Sequence, residues 1–257
     1  MDFKAIVIDL DGSVYHGDKL IAGADEAINS LNKSCTLLFL TNNSTSSRED
    51  FARKLENFGI SCRKDQIISS GYASAKYIKQ HYGSSSRVYV IGEIGLKNEL
   101  REQGIQICED DCNIVLVGLD REFNYKKMSI ALNFLLEGAV FIATNTDPFL
   151  IRNEAIIPGS GALVTSLETA SGKKAIVTGK PSAFISDIIL KDLRVKPEEI
   201  LIVGDNLETD ILIGIKGGMR TALVLTGVSK MSDIDKLKIH PDYIFESIVD
   251  IPRNCLI

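Results

Sequence analysis

Short apolar stretches alternate along the chain with segments in which apolar residues recur at helical spacing. Eight of these stretches are largely continuous apolar runs, the pattern of strands that are covered on both faces of a sheet. They lie at residues 5–10, 36–40, 66–69, 88–91, 114–117, 140–143, 200–203 and 222–225. The pattern predicts buried parallel strands rather than strands with one face in water.

Helical spacing fills several of the segments between these runs. Apolar residues fall at positions i, i+3, i+4 and i+7 in two of them: Ala24, Ala27, Ile28 and Leu31, and then Met128, Ala131, Leu132 and Leu135. Phe51, Leu55 and Phe58 indicate a third helix, which Gly59 can end as a cap. Alternating strands and helices predict an α/β fold with a parallel sheet and right-handed crossovers.

The chain has 257 residues, which is long for one such sheet. Two polar segments, 82–87 and 171–174, are candidate linkers, and the stretch between them contains its own strand–helix–strand units. An α/β domain inserted there would leave a discontinuous core that is made from both ends of the chain.

Composition narrows the class of protein. Hydrophobic residues make up 45% of the chain, charged residues 25%, and the net charge is −5. No Lys/Arg-rich block occurs, so a nucleic-acid partner is not expected. No signal peptide is expected, and no apolar run approaches the roughly 20 residues that cross a bilayer. The five cysteines form no C-x-x-C pair, and we interpret them as reduced thiols of a cytoplasmic protein, although Cys108 and Cys112 could in principle bind metal.

The strongest chemical signal is Asp9-Leu10-Asp11-Gly12, which directly follows the first apolar run. Ligands of parallel α/β sheets bind at the carboxyl ends of strands. Residues i and i+2 face the same side, roughly 7 Å apart. Two carboxylates would therefore converge, and Gly12 allows a sharp turn and a close approach to an anion. The alternative is an ordinary strand-end turn.

Two further motifs suit an anion. Thr41-Asn42-Asn43-Ser44 follows another strand, and its hydroxyl, amide and backbone N–H groups could bind phosphate. The alternative is helix N-capping, which needs only one of these residues. In Gly179-Lys180-Pro181-Ser182, Pro181 suits the first turn of a following helix and would hold Lys180 extended. A single lysine is more often a solvated surface residue.

The fourth motif runs from Gly204 to Asp210 (G-D-N-L-E-T-D) after the predicted strand at 200–203. Asp205 could reach the same edge of the sheet as Asp9, and hard oxygen ligands of this kind suit Mg²⁺. The alternative is a capped loop before a helix. Together the four motifs supply carboxylates, a hydroxyl and a cation at four strand ends, which is far more specific than any one motif.

This set of motifs resembles the haloacid dehalogenase-like superfamily, and within it the NagD-type and p-nitrophenyl phosphatase-like subgroup. The segments 141–147, 158–163 and 225–229 are also similar to that subgroup. The resemblance implies a doubly wound, Rossmann-like core at 1–80 and 179–257, with an α/β cap inserted at 81–178. The chain departs from it at Thr146, where relatives often have proline, so leaving-group preference does not carry over.

The resemblance also implies a magnesium-dependent phosphatase acting on small phosphomonoesters. Asp9 would be the nucleophile and Asp11 the general acid and base. Mg²⁺ would be held by the carboxylates of Asp9 and Asp205 and the backbone carbonyl of Asp11. The remaining roles fall to the phosphate-binding residues Gly12, Thr41, Asn42 and Lys180, to Asp210, which would orient Lys180 or a water, and to the cap residues Asn145, Thr146 and Asp147, which are candidates for substrate selection.

Other functions compete with hydrolysis. A phosphotransferase or mutase could use the same aspartyl-phosphate, and a receiver-type signalling domain also places Asp, Thr, Lys and Mg²⁺ at strand ends. A silent binding protein would not need the intact motifs, and a dinucleotide-binding enzyme lacks its G-x-G-x-x-G. Sugar phosphates, nucleoside monophosphates, phosphoglycolate, pyridoxal phosphate and p-nitrophenyl phosphate stay open as substrates. Caps of this type can mediate dimers, so a homodimer is one expectation.

Overall fold

The computed structural model describes residues 3–152 and 155–251, and these residues form two compact units. The first unit contains the described residues up to Thr41, the segment Phe51–Ile68, and the described residues from Lys180 onward. The second unit contains Asn42–Asp50 and Ser69–Gly179. The chain therefore passes between the units four times, and each unit has its own parallel sheet.

The elements of the described chain follow an α/β order. The strands are β1 (Ala5–Asp9), β2 (Tyr15–His16), β3 (Lys19–Leu20), β4 (Thr36–Thr41), β5 (Ile67–Ser69), β6 (Arg87–Ile91), β7 (Gln106–Ile107), β8 (Ile114–Val117), β9 (Val140–Ala143), β10 (Phe149–Arg152), β11 (Ala155–Pro158), β12 (Ile176–Val177), β13 (Ile200–Gly204), β14 (Arg220–Val224) and β15 (Tyr243–Phe245). The helices are α1 (Ala24–Leu31), α2 (Arg48–Asn57), α3 (Ser70–Tyr82), α4 (Ile94–Glu102), α5 (Tyr125–Leu136), α6 (Ser160–Ser171), α7 (Ala183–Leu193), α8 (Leu212–Lys216) and α9 (Met231–Leu237).

The sheet of the first unit has the strand order β15-β14-β13-β1-β4-β5. Strand β1 pairs in parallel with both β13 and β4, and β13 continues in parallel through β14 to β15. Every residue of β1 and of β13 is buried, which explains why their sequences are apolar runs. Numbered within this unit alone, the order is that of a Rossmann sheet, and its direction reverses between β1 and β13.

The second unit has a parallel sheet with the order β12-β9-β8-β6-β7, together with the antiparallel hairpin β10–β11. Numbered within the unit, this is the order 2-1-3-4-5 of the other common doubly wound sheet, and it reverses between β6 and β8. Its core contains residues from both faces of the sheet, such as Val115 and Leu116 of β8. The segment Asn42–Asp50 belongs to this unit although it follows β4 of the other sheet.

The predicted α/β class is confirmed, and element boundaries differ by a few residues. Strands β8 and β9 begin and end where the apolar runs predict. Gly59 has φ +80° just beyond α2, consistent with the cap expected there. Helix α3 has no counterpart among the predicted helices because its buried residues include Ser70, Gly71 and Ser74, which carry little hydrophobic signal.

The two polar segments read as candidate linkers connect elements inside the second unit. Residues 82–87 join α3 to β6, and residues 171–174 join α6 to β12. The predicted boundary between residues 80 and 81 falls within α3, all of which lies in the second unit. The assignment of a core at 1–80 and 179–257 and a cap at 81–178 stays a prediction. Within the described part of the chain, none of the helices has the length and apolar character needed to cross a membrane.

Candidate active site

The site is built at the edge of the first sheet where its parallel strands end. Asp9 is the last residue of β1, Thr41 is the last residue of β4, and Asp205 directly follows β13. The register places Ile8 beside Val203 and Asp9 beside Leu40. These three polar residues therefore lie at one edge of the sheet, and Asp9 and Asp205 flank the point where the strand order reverses.

Three buried carboxylates meet there. Asp9, Asp205 and Asp210 each offer an oxygen, and these oxygens all lie within 4.8 Å of one another. Asp210 lies in a π-helical turn, Leu207–Ile211, that leads from β13 into α8. The wide turn follows the Asn206 cap and places Asp210 under the loop, where its Oδ2 accepts a hydrogen bond from the Asn206 N–H at 3.1 Å.

Lys180 lies against two of these carboxylates. Its Nζ donates to Asp9 Oδ1 at 2.5 Å and to Asp210 Oδ1 at 2.6 Å, and only 3% of its side chain is exposed. The surface alternative for Lys180 is therefore wrong. Helix α7 begins at Ala183 with Ser182 as its N-cap, so Pro181 precedes the helix instead of lying in its first turn. The Lys180–Pro181 peptide bond is cis.

The charges of this cluster do not balance. Three carboxylates face one ammonium, and burial together with the neighbouring Asp210 raises the pKa of Asp205 to about 7. Burial also raises the pKa of Asp9 well above its usual value, with Lys180 opposing the shift. Burial alone would lower the pKa of Lys180, but Asp210 and Asp9 raise it above the ordinary lysine value. A cation is the ligand that would relieve this excess negative charge.

The oxygen atoms of the cluster suit a hard divalent cation. Asp9 Oδ2 is buried and has no hydrogen-bond partner among the described residues. Both carboxylate oxygens of Asp210 are already used, by Lys180 and by the Asn206 N–H. Asp205 accepts the Val228 N–H through Oδ2 at 2.6 Å. Asp9 and Asp205 therefore have carboxylate oxygens that could hold a metal ion, while both oxygens of Asp210 are engaged within the protein.

The Asp11–Gly12 turn packs directly on Asp205. Gly12 has φ +92°, and a Cβ at this position would collide with the Asp205 carboxylate. The Gly12 N–H donates to the Tyr15 carbonyl at 2.8 Å and the Ser13 N–H to the Leu10 carbonyl at 3.3 Å. Both N–H groups therefore donate to backbone carbonyls of the protein. This does not match the expectation that the N–H groups after Asp11 point at a phosphate. The Asp11 side chain is exposed at the edge of the site.

A loop after β14 completes the site, and the sequence motifs gave it no role. Thr226 Oγ1 donates to the Gly12 carbonyl at 2.6 Å, and the Val228 N–H holds Asp205. Gly227 lies so close to Asp205 that any Cβ would overlap its carboxylate. The signal was present as a Thr-Gly-Val-Ser run just after an apolar strand, the same strand-end position as the other motifs.

The predicted substrate-selecting residues lie in the second unit, with Asn42. Asn42 Nδ2 donates to both oxygens of Asp147, at 3.1 and 3.2 Å. Asn145 is buried, donates to the Asn42 carbonyl at 2.7 Å and accepts a bond from the Ser160 hydroxyl. Thr146 is exposed. The second unit thus contains one hydrogen-bonded group made of Asn42, Asn145 and Asp147.

The two thiols of the second unit that could in principle bind metal lie close together. Cys108 and Cys112 have their sulfur atoms 2.6 Å apart, and both are free thiols in this structure. No histidine or carboxylate joins them in a metal-ligating group among the described residues, where the acidic cluster around Asp9 is the group found.

Comparisons with known proteins give the family. Two family models match, one described as haloacid dehalogenase-like hydrolase over residues 6–106 and one as HAD-hydrolase-like over residues 177–251. An acid sugar phosphatase of Staphylococcus saprophyticus is 34% identical over 255 residues, with 98% of each chain covered. The ribonucleotide monophosphatase NagD of Escherichia coli is 35% identical over 252 residues, covering 98% of this chain and 99% of that protein.

A solved structure supports the same assignment over both units. The p-nitrophenyl phosphatase from Archaeoglobus fulgidus matches with a TM-score of 0.93 and 32% identity, covering 98% of this chain and 99% of that chain. The fold is of the α/β class, and it carries a cluster of buried carboxylates at the strand ends of its first sheet. The chain belongs to the haloacid dehalogenase-like hydrolases, which confirms the predicted family. The relatives named here are phosphatases, so the prediction that the protein is an enzyme, a phosphoric monoester hydrolase, is confirmed as well.

Proposed function

We propose that this protein is a magnesium-dependent phosphatase that hydrolyses small phosphomonoesters through an aspartyl-phosphate on Asp9. One observation carries the proposal: the buried ammonium of Lys180 binds Asp9 and Asp210 at 2.5 and 2.6 Å, with Asp205 in the same cluster. A carboxylate held beside a fixed cation at a sheet edge is suited to attack an anionic phosphoryl group. Relatives named as phosphatases support the same class of reaction.

The protein residues divide the reaction between them. Asp9 attacks phosphorus, and the ester oxygen leaves with a proton from Asp11, whose exposed side chain lies two residues further along the chain. Asp11 then takes a proton from the water that cleaves the aspartyl-phosphate, which returns Asp9 and releases inorganic phosphate. Lys180 holds a phosphoryl oxygen throughout, and Asp210 keeps the lysine in place.

The carboxylates of Asp9 and Asp205 and the backbone carbonyl of Asp11 are the groups that would hold the metal ion. When bound, Mg²⁺ offsets the repulsion between the nucleophile and a phosphate dianion. The unpartnered Asp9 Oδ2 and the uncompensated charge of the cluster support this role. Asp205 is kept in place by the Val228 N–H, so the protein fixes the ligand before any ion arrives.

Phosphate binding is assigned to Thr41, Asn42 and Lys180, with Gly12 in a supporting role. Thr41 is 2% exposed at the end of β4, and Asn42 is the next residue of the chain. Because the Asn42 amide is bonded to Asp147, we assign its contribution to the backbone N–H of the segment rather than to its side chain. Gly12 contributes by allowing the turn to approach Asp205.

Small phosphomonoesters are the proposed substrates. The relatives include an acid sugar phosphatase, a ribonucleotide monophosphatase and a p-nitrophenyl phosphatase, so sugar phosphates and nucleoside monophosphates come first. Asn145, Thr146 and Asp147 are the cap residues first assigned to substrate selection, and Thr146, with its exposed side chain, is the one we retain in that role. A cytoplasmic location and a homodimer stay predictions.

The test is a phosphate-release screen over a panel of sugar phosphates, nucleoside monophosphates and p-nitrophenyl phosphate, with Mg²⁺ and with a chelator. We expect turnover that requires Mg²⁺, and an Asp9→Asn variant that folds but has lost at least about 10³-fold in kcat. Normal turnover by Asp9→Asn would show that another group is the nucleophile. Release of inorganic phosphate without any added acceptor separates hydrolysis from phosphotransfer, and a phospho-protein stable for minutes would instead favour a receiver-type domain.

A further inference from the structure

The segment Asn42–Asp50 fills the crevice of the second sheet in which a ligand would be expected. In doubly wound sheets, ligands bind beyond the carboxyl ends of the strands at the point where the strand order reverses. In the second unit that point lies between β6 and β8. The Thr45 carbonyl accepts the N–H of Gly95 in the first turn of α4, which follows β6, at 3.1 Å.

Close packing shows how tightly the segment fits. A Cβ on Gly95 would overlap the backbone of Ser46, and a Cβ on Gly118, which follows β8, would approach the Ser44 hydroxyl at 2.7 Å. Glycine at these two positions therefore allows the segment to lie directly against the start of α4 and the end of β8. The crevice is occupied by part of the chain itself.

Charged and polar bonds fix both ends of the segment. At its far end, the fully buried Glu99 accepts from the Arg48 N–H at 2.7 Å and from Arg48 Nε at 3.0 Å. At its near end, Asp147 accepts from the Asn42 amide, and the Asn42 carbonyl accepts from the Ser70 hydroxyl at 2.5 Å. The residue before Asn42 is Thr41, the last residue of β4.

We propose that Asp147 is a positioning residue for the phosphate-binding segment that begins at Thr41 and Asn42, and not a contact for the leaving group. The inference rests on the proposed function, because it assumes that this segment binds the phosphoryl group. The carboxylate of Asp147 holds the Asn42 side chain through both oxygens, which fixes the direction in which the backbone leaves Thr41. Its effect should therefore be the same for every ester that carries the same phosphoryl group.

The experiment compares Asp147→Ala with wild type on three esters of different leaving groups: a sugar phosphate, a nucleoside monophosphate and p-nitrophenyl phosphate. We expect kcat/KM to fall by about 10- to 100-fold, by the same factor for all three. Inhibition by inorganic phosphate, which has no leaving group, should weaken as well. A loss confined to one ester, with unchanged inhibition by phosphate, would mean that Asp147 touches the leaving group and would overturn the proposal.

A matched control is available in the same unit. Asp120 is a buried carboxylate beyond the end of β8 that accepts from Lys127 Nζ at 2.7 Å, and its hydrogen bonds are to residues 122 and 127. Asp120→Ala should disturb the second unit about as much as Asp147→Ala does, yet leave phosphate inhibition within about twofold of wild type. Equal weakening by both variants would show that Asp147 acts through general stability alone.

Two further variants test whether Asp147 acts through its bond to the Asn42 side chain. Asp147→Asn retains one acceptor oxygen for the Asn42 amide and should recover part of the loss. The double variant Asn42→Ala/Asp147→Ala should lose less than the two single losses combined, because both changes remove the same bond. Additive losses would contradict the proposal.

A readout that does not depend on turnover separates this inference from the proposed function. Amide hydrogen exchange in the peptide covering 42–48 should become faster in Asp147→Ala and stay unchanged in Asp120→Ala. If the wild-type protein hydrolysed none of the esters but the exchange result held, the proposed function would fail while the role of Asp147 in ordering this segment would stand. Unchanged exchange in Asp147→Ala would remove the inference whatever the activity.

Discussion

The two parallel sheets of this protein differ in the charge and hydrogen bonding of the groups at the carboxyl ends of their strands. At the edge of the first sheet, Asp9, Asp205 and Asp210 surround one ammonium, and a buried oxygen of Asp9 lacks a partner among the described residues. At the edge of the second sheet, neutral groups such as Thr144 and Asn145 are bonded to other protein groups. Buried polar groups are normally satisfied, so we expect a ligand at the edge that carries the excess charge.

A doubly wound sheet therefore does not imply one fixed role. Both sheets are doubly wound and reverse direction at a crevice, but the crevice of the second is filled by Thr45 and its neighbours from the chain itself. What distinguishes a reaction site from a scaffold is the balance of charge and hydrogen bonds at the strand ends, not the strand order.

The largest effect should come from removing the cation of the first edge. Lys180→Met leaves Asp9 and Asp210 facing each other without their ammonium, and we expect phosphatase kcat/KM to fall by at least about 100-fold. Steady-state kinetics on p-nitrophenyl phosphate measures it. Lys174→Met, at a lysine whose side chain is 86% exposed, is the control and should keep wild-type kinetics. A Lys180→Met enzyme with comparable activity would show that the first edge does not need its cation.

The second unit should lose stability when its buried ion pair is broken. The Glu99 side chain is 0% exposed and its partner Arg48 is 11% exposed, so Glu99→Ala leaves a largely buried guanidinium paired with the more exposed carboxylate of Glu102. We expect the free energy of unfolding to drop by about 3 kcal/mol. Urea denaturation measures this change. Glu102→Ala removes the 40%-exposed partner of the same arginine and should cost less than about 1 kcal/mol; equal losses would contradict the argument.

Magnesium should stabilise the folded protein by binding at the charged edge of the first sheet. At a concentration about 100 times its dissociation constant, a ligand that binds only the folded state adds about 2.7 kcal/mol to the free energy of unfolding. We expect added Mg²⁺ to raise the melting temperature of wild type and to lose this effect in Asp205→Asn. The amide substitution keeps the shape of the side chain but removes the ligand charge. An equal rise in both proteins would place the ion elsewhere.

The smallest effect should come from neutralising Asp242, a carboxylate of the first unit whose oxygens already accept hydrogen bonds. Asp242 accepts from Arg220 Nη1 at 2.6 Å and from the Thr221 N–H at 2.9 Å. Burial raises the pKa of Asp242, but the bonds to Arg220 and Thr221 outweigh it and hold the pKa below the ordinary aspartate value. We expect Asp242→Asn to cost about 1 kcal/mol of unfolding free energy at neutral pH.

The pH dependence of that cost has a definite sign. Because the pKa of Asp242 is lower in the folded protein, its stabilising contribution is complete above the unfolded pKa and is lost as pH falls through the folded one. The difference between wild type and Asp242→Asn should therefore shrink below about pH 4, as chemical denaturation at several pH values would show. A difference that grows on acidification would contradict the assignment.

Much of the fold could be predicted from apolar runs. Strands β8 and β9 are continuous hydrophobic stretches between polar segments, and their bounds in the structure match those runs. Helix α3 could not be predicted in this way, because it buries small and polar residues such as Ser70 and Ser74 against the second sheet. Hydrophobic periodicity detects elements that bury large apolar side chains and misses those that pack through small ones.

The candidate site was predictable where chemistry sits in short motifs. Asp9, Lys180, Asp205 and Asp210 come from three separate motifs, and the structure brings their side chains together. Thr226 and Val228 were not assigned a role, because a hydroxyl and a backbone N–H carry no distinctive sequence signal until the loop that bears them is placed. The bond between Asn42 and Asp147 joins residues 105 positions apart, which no local pattern encodes.

The sequence by itself determined the α/β class, the strand ends that carry charge and the family, because each depends on residue types at local spacing. Only the tertiary structure decided that Lys180 is buried between two carboxylates, one of them Asp210, and that the segment after Thr41 belongs to the second unit. Those facts depend on which distant residues share a crevice and on how their charges balance there. That balance is a property of the folded arrangement and not of any one segment.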